Sequence, residues 1–163
     1  MAQRKNKIDI NDWFKAVDSN DLEKVKEFVE KGIDINVQSK TLETTALMWA
    51  VGKGDEDIVQ YLIDRGADIN KPNDKGTAPL LVAACEGRES ILKYLIEHGA
   101  DVNKRDNEGL TPLMFALRAG HKNIVEYLMD HGADVEMDLI LLIVRSAKKL
   151  VHSLYQYVKG SET

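Results

Sequence analysis

The sequence predicts an all-α solenoid, in which short antiparallel helix pairs stack side by side, and three sets of residues carry that expectation. The turn Gly99-Ala-Asp-Val-Asn103 is written again at Gly66–Asn70 (GADIN) and Gly132–Glu136 (GADVE), with a looser copy at Gly32–Asn36 (GIDIN). Gly66, Gly99 and Gly132 stand 33 residues apart, as do Thr45-Ala-Leu47, Ala78-Pro-Leu80 and Thr111-Pro-Leu113. The apolar steps Ile58-Val59/Leu62-Ile63, Ile91-Leu92/Leu95-Ile96 and Ile124-Val125/Leu128-Met129 keep the same interval. A period in this range marks a stack of supersecondary units, none of which buries its apolar face alone.

The last unit shows how each element arises. Thr111 can cap a helix, and Pro112 suits its first position because the missing N–H would have no partner there. That helix runs through Leu113–Leu117 and breaks at Gly120. His121-Lys-Asn123 opens a second helix with Ile124, Val125, Leu128 and Met129 on one face. Gly132 supplies the left-handed residue that ends it. Ala133–Asp138 then leads out in extended form.

The first unit reads as a cap. Asn11/Asp12 start a helix through Trp13, Phe14 and Val17, and Asp21 caps a second with Leu22, Val25, Phe28 and Val29 inside. Its outer face carries Glu23, Lys24, Lys26, Glu27, Glu30 and Lys31, the polar exterior a terminal repeat needs. After Gly132 no further Thr-Pro-Leu follows. Residues 138–158 read as helix, apolar on one side and carrying Arg145, Lys148, Lys149 and His152 on the other, a degenerate cap. Expected boundaries are a flexible segment at 1–10, one domain at 11–160 and a frayed end at 160–163. Within the domain come a capping repeat at 11–38, repeats at 39–71, 72–104 and 105–137, and the helical cap at 138–159.

Composition excludes several classes. The 163 residues are 44% hydrophobic and 30% charged, which fits one soluble domain. One cysteine, Cys85, allows no internal disulfide and fits a reducing compartment. No apolar h-region is present in the first twelve residues, and the longest apolar run, Leu139–Val144, is far below the roughly 20 residues of a bilayer span. No membrane association is expected, and the cytoplasm is the expected location, with the nucleus as the alternative. Residues 1–138 hold 26 acids against 18 bases, whereas 139–159 hold four bases and no acid. An acidic body argues against nucleic acid as the partner.

These features resemble the ankyrin repeat family, whose period is 33 residues and whose signature is T-P-L-H-x-A. The matching stretches are Thr111-Pro-Leu-Met-Phe-Ala116, Ala78-Pro-Leu-Leu-Val-Ala83 and Thr45-Ala-Leu-Met-Trp-Ala50, with the turns Gly66–Asn70 and Gly99–Asn103, over residues 11–137. The signature histidine is replaced by Met48, Leu81 and Met114, which implies a joint held more by apolar packing. Gly32 to Gly66 is 34 residues, so the first hairpin holds one extra residue at Lys40–Glu43, and Glu43 stands where Gly76 and Gly109 stand later.

The resemblance implies a non-enzymatic scaffold, adaptor or inhibitor that binds another protein on a concave face of hairpin tips and first helices. Carried onto this chain, the binding positions are Lys40, Thr41 and Thr44 with Lys53; Asp74, Lys75 and Thr77 with Glu86; and Asn107, Glu108 and Leu110 with Arg118, flanked by Arg105. The set is poor in aromatics and interface hot spots favour tryptophan, tyrosine and arginine, so Arg105 and Arg118, and after them Leu110, are the expected anchors. Trp13 and Trp49 read as core, and Tyr61, Tyr94 and Tyr127 as a packing ladder on the opposite side. No catalytic, cofactor or metal site is expected: the histidines lack ligand spacing, and Cys85 has no base beside it in sequence. The rivals are self-association through the apolar C-terminal helix, with a monomer favoured, and an enzyme or cofactor binder centred on Cys85.

Overall fold

The computed structural model describes residues 8–135. They form eight helices and no strand: α1 (Ile10–Asp18), α2 (Leu22–Glu30), α3 (Ala46–Lys53), α4 (Glu56–Asp64), α5 (Pro79–Glu86), α6 (Glu89–Glu97), α7 (Pro112–Ala119) and α8 (Lys122–Asp130). Odd-numbered helices stack in one layer (α1–α3–α5–α7) and even-numbered helices in a second (α2–α4–α6–α8). Each pair packs on its sequence neighbours, so the all-α repeat stack predicted from the period is the observed architecture. The expected C-terminal cap helix, His152 and the apolar run Leu139–Val144 lie outside the described residues.

A single apolar interior runs through the stack. Val17, Val25, Leu47, Val51, Ile58, Leu62, Leu80, Leu92, Leu95, Leu113, Ile124 and Leu128 are each 2% exposed or less. The alanines Ala50, Ala83 and Ala116, one repeat apart and fully buried, let successive inner helices approach closely. Met48, Leu81 and Met114, which replace the signature histidine, are buried too, so these joints are apolar.

Start and stop chemistry follows the sequence closely. The Thr45 and Thr111 hydroxyls accept from the N–H groups of Met48 and Met114, both at 3.2 Å, and cap α3 and α7. Ala78 occupies the same position before α5 without a side-chain cap. The first helix starts earlier than expected. Asp9, not Asn11/Asp12, is its cap, accepting from the Asn11 N–H at 2.8 Å, and Ile10 packs against the core.

Every residue of the recurring turn has a use. Gly99, with φ +92°, makes the left-handed step that closes α6. The Ala100 N–H then returns to the Leu95 carbonyl at 2.9 Å. Asp101 folds the chain by accepting from the Asn103 N–H at 3.0 Å. The terminal asparagine crosses to the next unit: Asn70 donates to the Gly99 carbonyl (3.1 Å) and accepts from the Asp101 N–H (2.9 Å). Asn103 does the same with Gly132 and Asp134, and Asn36 accepts from the Asp68 N–H.

Two stability changes test these assignments. Asn70→Ala removes both crossing bonds and should lower unfolding free energy by about 1–2 kcal/mol in urea titration. Ala78→Thr should supply the missing cap and raise it by about 0.5–1 kcal/mol, since threonine is accommodated at both equivalent buried positions.

Candidate functional site

The candidate surface is built from three hairpin tips and the inner helices beneath them. In the second hairpin the Asn73 carboxamide oxygen accepts from the N–H groups of Lys75 (3.0 Å) and Thr77 (2.9 Å). In the third, the Asp106 carboxylate accepts from Glu108 (2.9 Å) and Leu110 (2.8 Å). The first is closed by Ser39, which spans one residue more to reach Thr44; their hydroxyls lie 2.9 Å apart. The extra residue therefore falls within 40–43, as its spacing predicted. Glu43 adopts φ +48°, the left-handed conformation that glycine takes at Gly76 (φ +76°) and Gly109.

Adjacent tips are joined. The Asn107 N–H donates to the Lys75 carbonyl at 2.9 Å, and its side-chain amide donates to the Asp74 carbonyl at 2.8 Å. Gly76 makes room for this contact, because a Cβ there would meet the Asn107 side chain at 2.5 Å. Gln38 bridges the first two hairpins, donating to the Pro72 carbonyl at 3.1 Å and to the Glu43 carbonyl.

These bonds divide the sequence-derived candidates into two groups. Lys40, Thr41, Lys53, Asp74, Lys75, Glu86, Glu108 and Arg118 are exposed. Lys53 is paired with Asp18 at 2.9 Å. The others are used by the scaffold: Thr44 and Thr77 are half-buried in their tips, and Asn107 is exposed yet holds two hairpins together. Arg105 is half-buried, donating to the Gly109 carbonyl at 3.1 Å. Leu110 is only 4% exposed, so this expected anchor is inside the fold. The sequence signal for Leu110 was correct in its hydrophobicity and misplaced in its direction.

Sequence reasoning also missed residues that reach the surface. Trp13 is fully buried, whereas Trp49 is only half-buried and donates its indole N–H to Asp18 at 3.0 Å. Trp49, Phe14, Ile10 and Leu42 line an open cleft beside the first hairpin. The extra residue in that hairpin was the available clue.

Among the described residues, the histidines and Arg88 have structural partners. His121 reaches back one repeat, its Nε2 donating to the Cys85 carbonyl at 3.1 Å, with Gly87 giving way to its ring. Arg88, one repeat earlier, donates to the Gly52 carbonyl at 2.9 Å. His98 and His131 each donate Nδ1 to a carbonyl one turn back, at Tyr94 and Tyr127, and stack on those rings at 3.9 Å. The tyrosines pack against the core from the outer helices. Cys85 is exposed. Partial desolvation pushes its thiol above the usual cysteine value, Glu86 adds to that, and Arg118 opposes it. Among the described residues no cluster of histidine, cysteine and carboxylates could hold a metal, and no helix is long and apolar enough to cross a membrane.

Comparison with known proteins agrees with this architecture. Residues 13–106 match the family model described as "Ankyrin repeats (3 copies)", and residues 95–138 match "Ankyrin repeats (many copies)". The chain is 41% identical over 71 residues to a putative ankyrin repeat protein of Rickettsia felis, covering 38% of this chain and 48% of that protein. It is 43% identical over 77 residues to Protein HOS4 of Saccharomyces cerevisiae, covering 47% of this chain and 7% of that one. It is 35% identical over 82 residues to the 2-5A-dependent ribonuclease of Mus musculus, covering 50% and 11% respectively. The matched stretches thus span less than half the length of these relatives. Ankyrin repeats are in general protein–protein interaction modules. With a family model matched across more than half of its length and the repeat turns interlocked as described, the chain belongs to the ankyrin repeat family.

Proposed function

We propose that this chain is a non-enzymatic binding module that presents its hairpin tips and inner helices to another protein, as a scaffold, adaptor or inhibitor. The observation that carries this reading is the fixed spacing of exposed side chains on a face whose adjacent hairpins are bonded to each other. Lys40, Thr41, Asp74, Lys75, Glu86, Glu108 and Arg118 are exposed there, while bonds between hairpins hold their backbones in register. A pre-organised surface loses little conformational entropy on binding, which is the physical advantage of such a scaffold.

The resemblance to a ribonuclease does not bring nuclease chemistry with it, because it covers only 11% of that protein. The rival centred on Cys85 is disfavoured by electrostatics: a thiol held above its ordinary pKa is less ionised, and the thiolate is the nucleophile. A monomer acting at a cytoplasmic location completes the proposal. The self-association rival rests on residues outside the described part of the chain.

Two measurements test this reading. Full-length chain and a triple variant, Lys40→Glu/Lys75→Glu/Arg118→Glu, are used to capture proteins from lysate of the source cells, with folding checked by circular dichroism. At least one protein should be retained by the wild type and depleted about tenfold on the variant, a loss in keeping with removal of interface charges. Identical captures would refute the assignment of the surface. Separately, Cys85 should react with a thiol reagent at pH 7 no faster than free cysteine; faster reaction would revive the Cys85 rival.

A further inference from the structure

We infer that the N-terminal end of the hairpin face carries a docking cleft for a short partner segment with one bulky apolar side chain flanked by carboxylates. This rests on the protein-binding reading above and narrows the partner. The cleft, about 460 Å³, lies between α1 and the first hairpin. Phe14 and Trp49, with ring centroids 6.0 Å apart, and Ile10 give it an apolar lining. Leu42 adds to that lining from the lengthened hairpin and is 50% exposed. An opening of this size accommodates a side chain and its flanking backbone rather than a whole helix.

Three features distinguish this end of the face from the rest. The other two tips, Asn73–Thr77 and Asp106–Leu110, have one residue fewer and place no exposed leucine at the turn. Trp49 holds the repeat position taken by Val82 and Phe115, and its indole N–H is already satisfied by Asp18. The ring is therefore available as an apolar surface with its one polar atom accounted for, a property shared by aromatic hot spots.

Charge selects the partner. Lys15 and Lys40 line the cleft, and Lys40 has no ion pair among the described residues. Lys15 is paired only with the exposed Asp12, at 3.1 Å. The one carboxylate in the lining, Asp18, is committed to Lys53 and to the Trp49 indole. Asp9, in the adjoining hollow, is committed to capping α1. An apolar cleft edged by available cations, on a chain of net charge −5, favours a segment that pairs an apolar side chain with acids.

The test pans a phage-displayed random heptapeptide library on immobilised full-length chain, then measures a fluorescein-labelled synthetic peptide of the enriched sequence by anisotropy. Enriched sequences should carry leucine, phenylalanine or tryptophan beside aspartate or glutamate. Leu42→Ser and Lys40→Glu, both at exposed positions, should each weaken binding about tenfold, while Glu126→Lys, exposed on the outer helix α8, should change it less than about twofold, and Glu86→Lys on α5 tests the wider hairpin face. Failure to enrich any peptide, or enrichment without acidic residues, overturns the inference. Binding that is lost with Glu86→Lys and kept with Leu42→Ser and Lys40→Glu also overturns it, yet leaves the wider binding reading intact. Binding indifferent to Leu42→Ser, Lys40→Glu and Glu86→Lys alike overturns both.

Discussion

The fold depends on one recurring constraint: a turn asparagine in each unit bonds the backbone of the next. Asn36, Asn70 and Asn103 accept from the N–H groups of Asp68, Asp101 and Asp134 at 2.8–2.9 Å. Those N–H groups belong to turns outside the helices, where no intrahelical partner exists. These bonds lie at exposed turns, where each contributes on the order of 1 kcal/mol, and their directionality fixes the register of one unit on the next. The apolar interior supplies the driving force for stacking, but apolar contact is non-directional. The asparagine bonds give it an address.

A second line of directional bonds runs along the opposite edge of the turns between helices. His121 and Arg88 each bond a carbonyl at the end of the preceding inner helix, Cys85 and Gly52 respectively. Two different side chains thus serve one purpose at one repeat position. These bonds hold the C-terminal ends of α3 and α5, while the asparagine line joins the turns that follow the outer helices. The tips then bond each other through Asn107 and Gln38. Binding specificity can reside in the exposed side chains of the tips because the bonds between hairpins hold those tips in fixed positions.

Irregularity is concentrated at the N-terminal end. The first hairpin is longer, places Glu43 in a left-handed conformation, and leaves Leu42 in solvent. Trp49 and Phe14 meet beneath it. Among the described residues the capping unit has a neighbouring unit on one side alone, and its surface lysines are paired locally with Asp21, Glu23 and Glu27. The later tips carry exposed polar residues such as Lys75 and Glu108, and Val82 and Phe115 stand where Trp49 does. Departures from the repeat are where a chain of this kind can acquire a partner preference without disturbing its interior.

The sequence by itself determined the architecture, because a 33-residue period with helix starts, stops and apolar steps in phase admits little else. Threonine caps at Thr45 and Thr111, the left-handed glycines and the placement of the extra residue in the first hairpin were all local signals, and local chemistry fixed them. Tertiary structure decided which side chains remain for function. Leu110 and Trp49 illustrate the difference: one was expected outside and is buried, the other was expected in the core and lines a cleft. Neither direction is encoded in the residues flanking it along the chain, since each depends on how closely the neighbouring unit stacks. Asn107 makes the same point with hydrogen bonds, because only a neighbour 33 residues away turns an exposed tip residue into a strut.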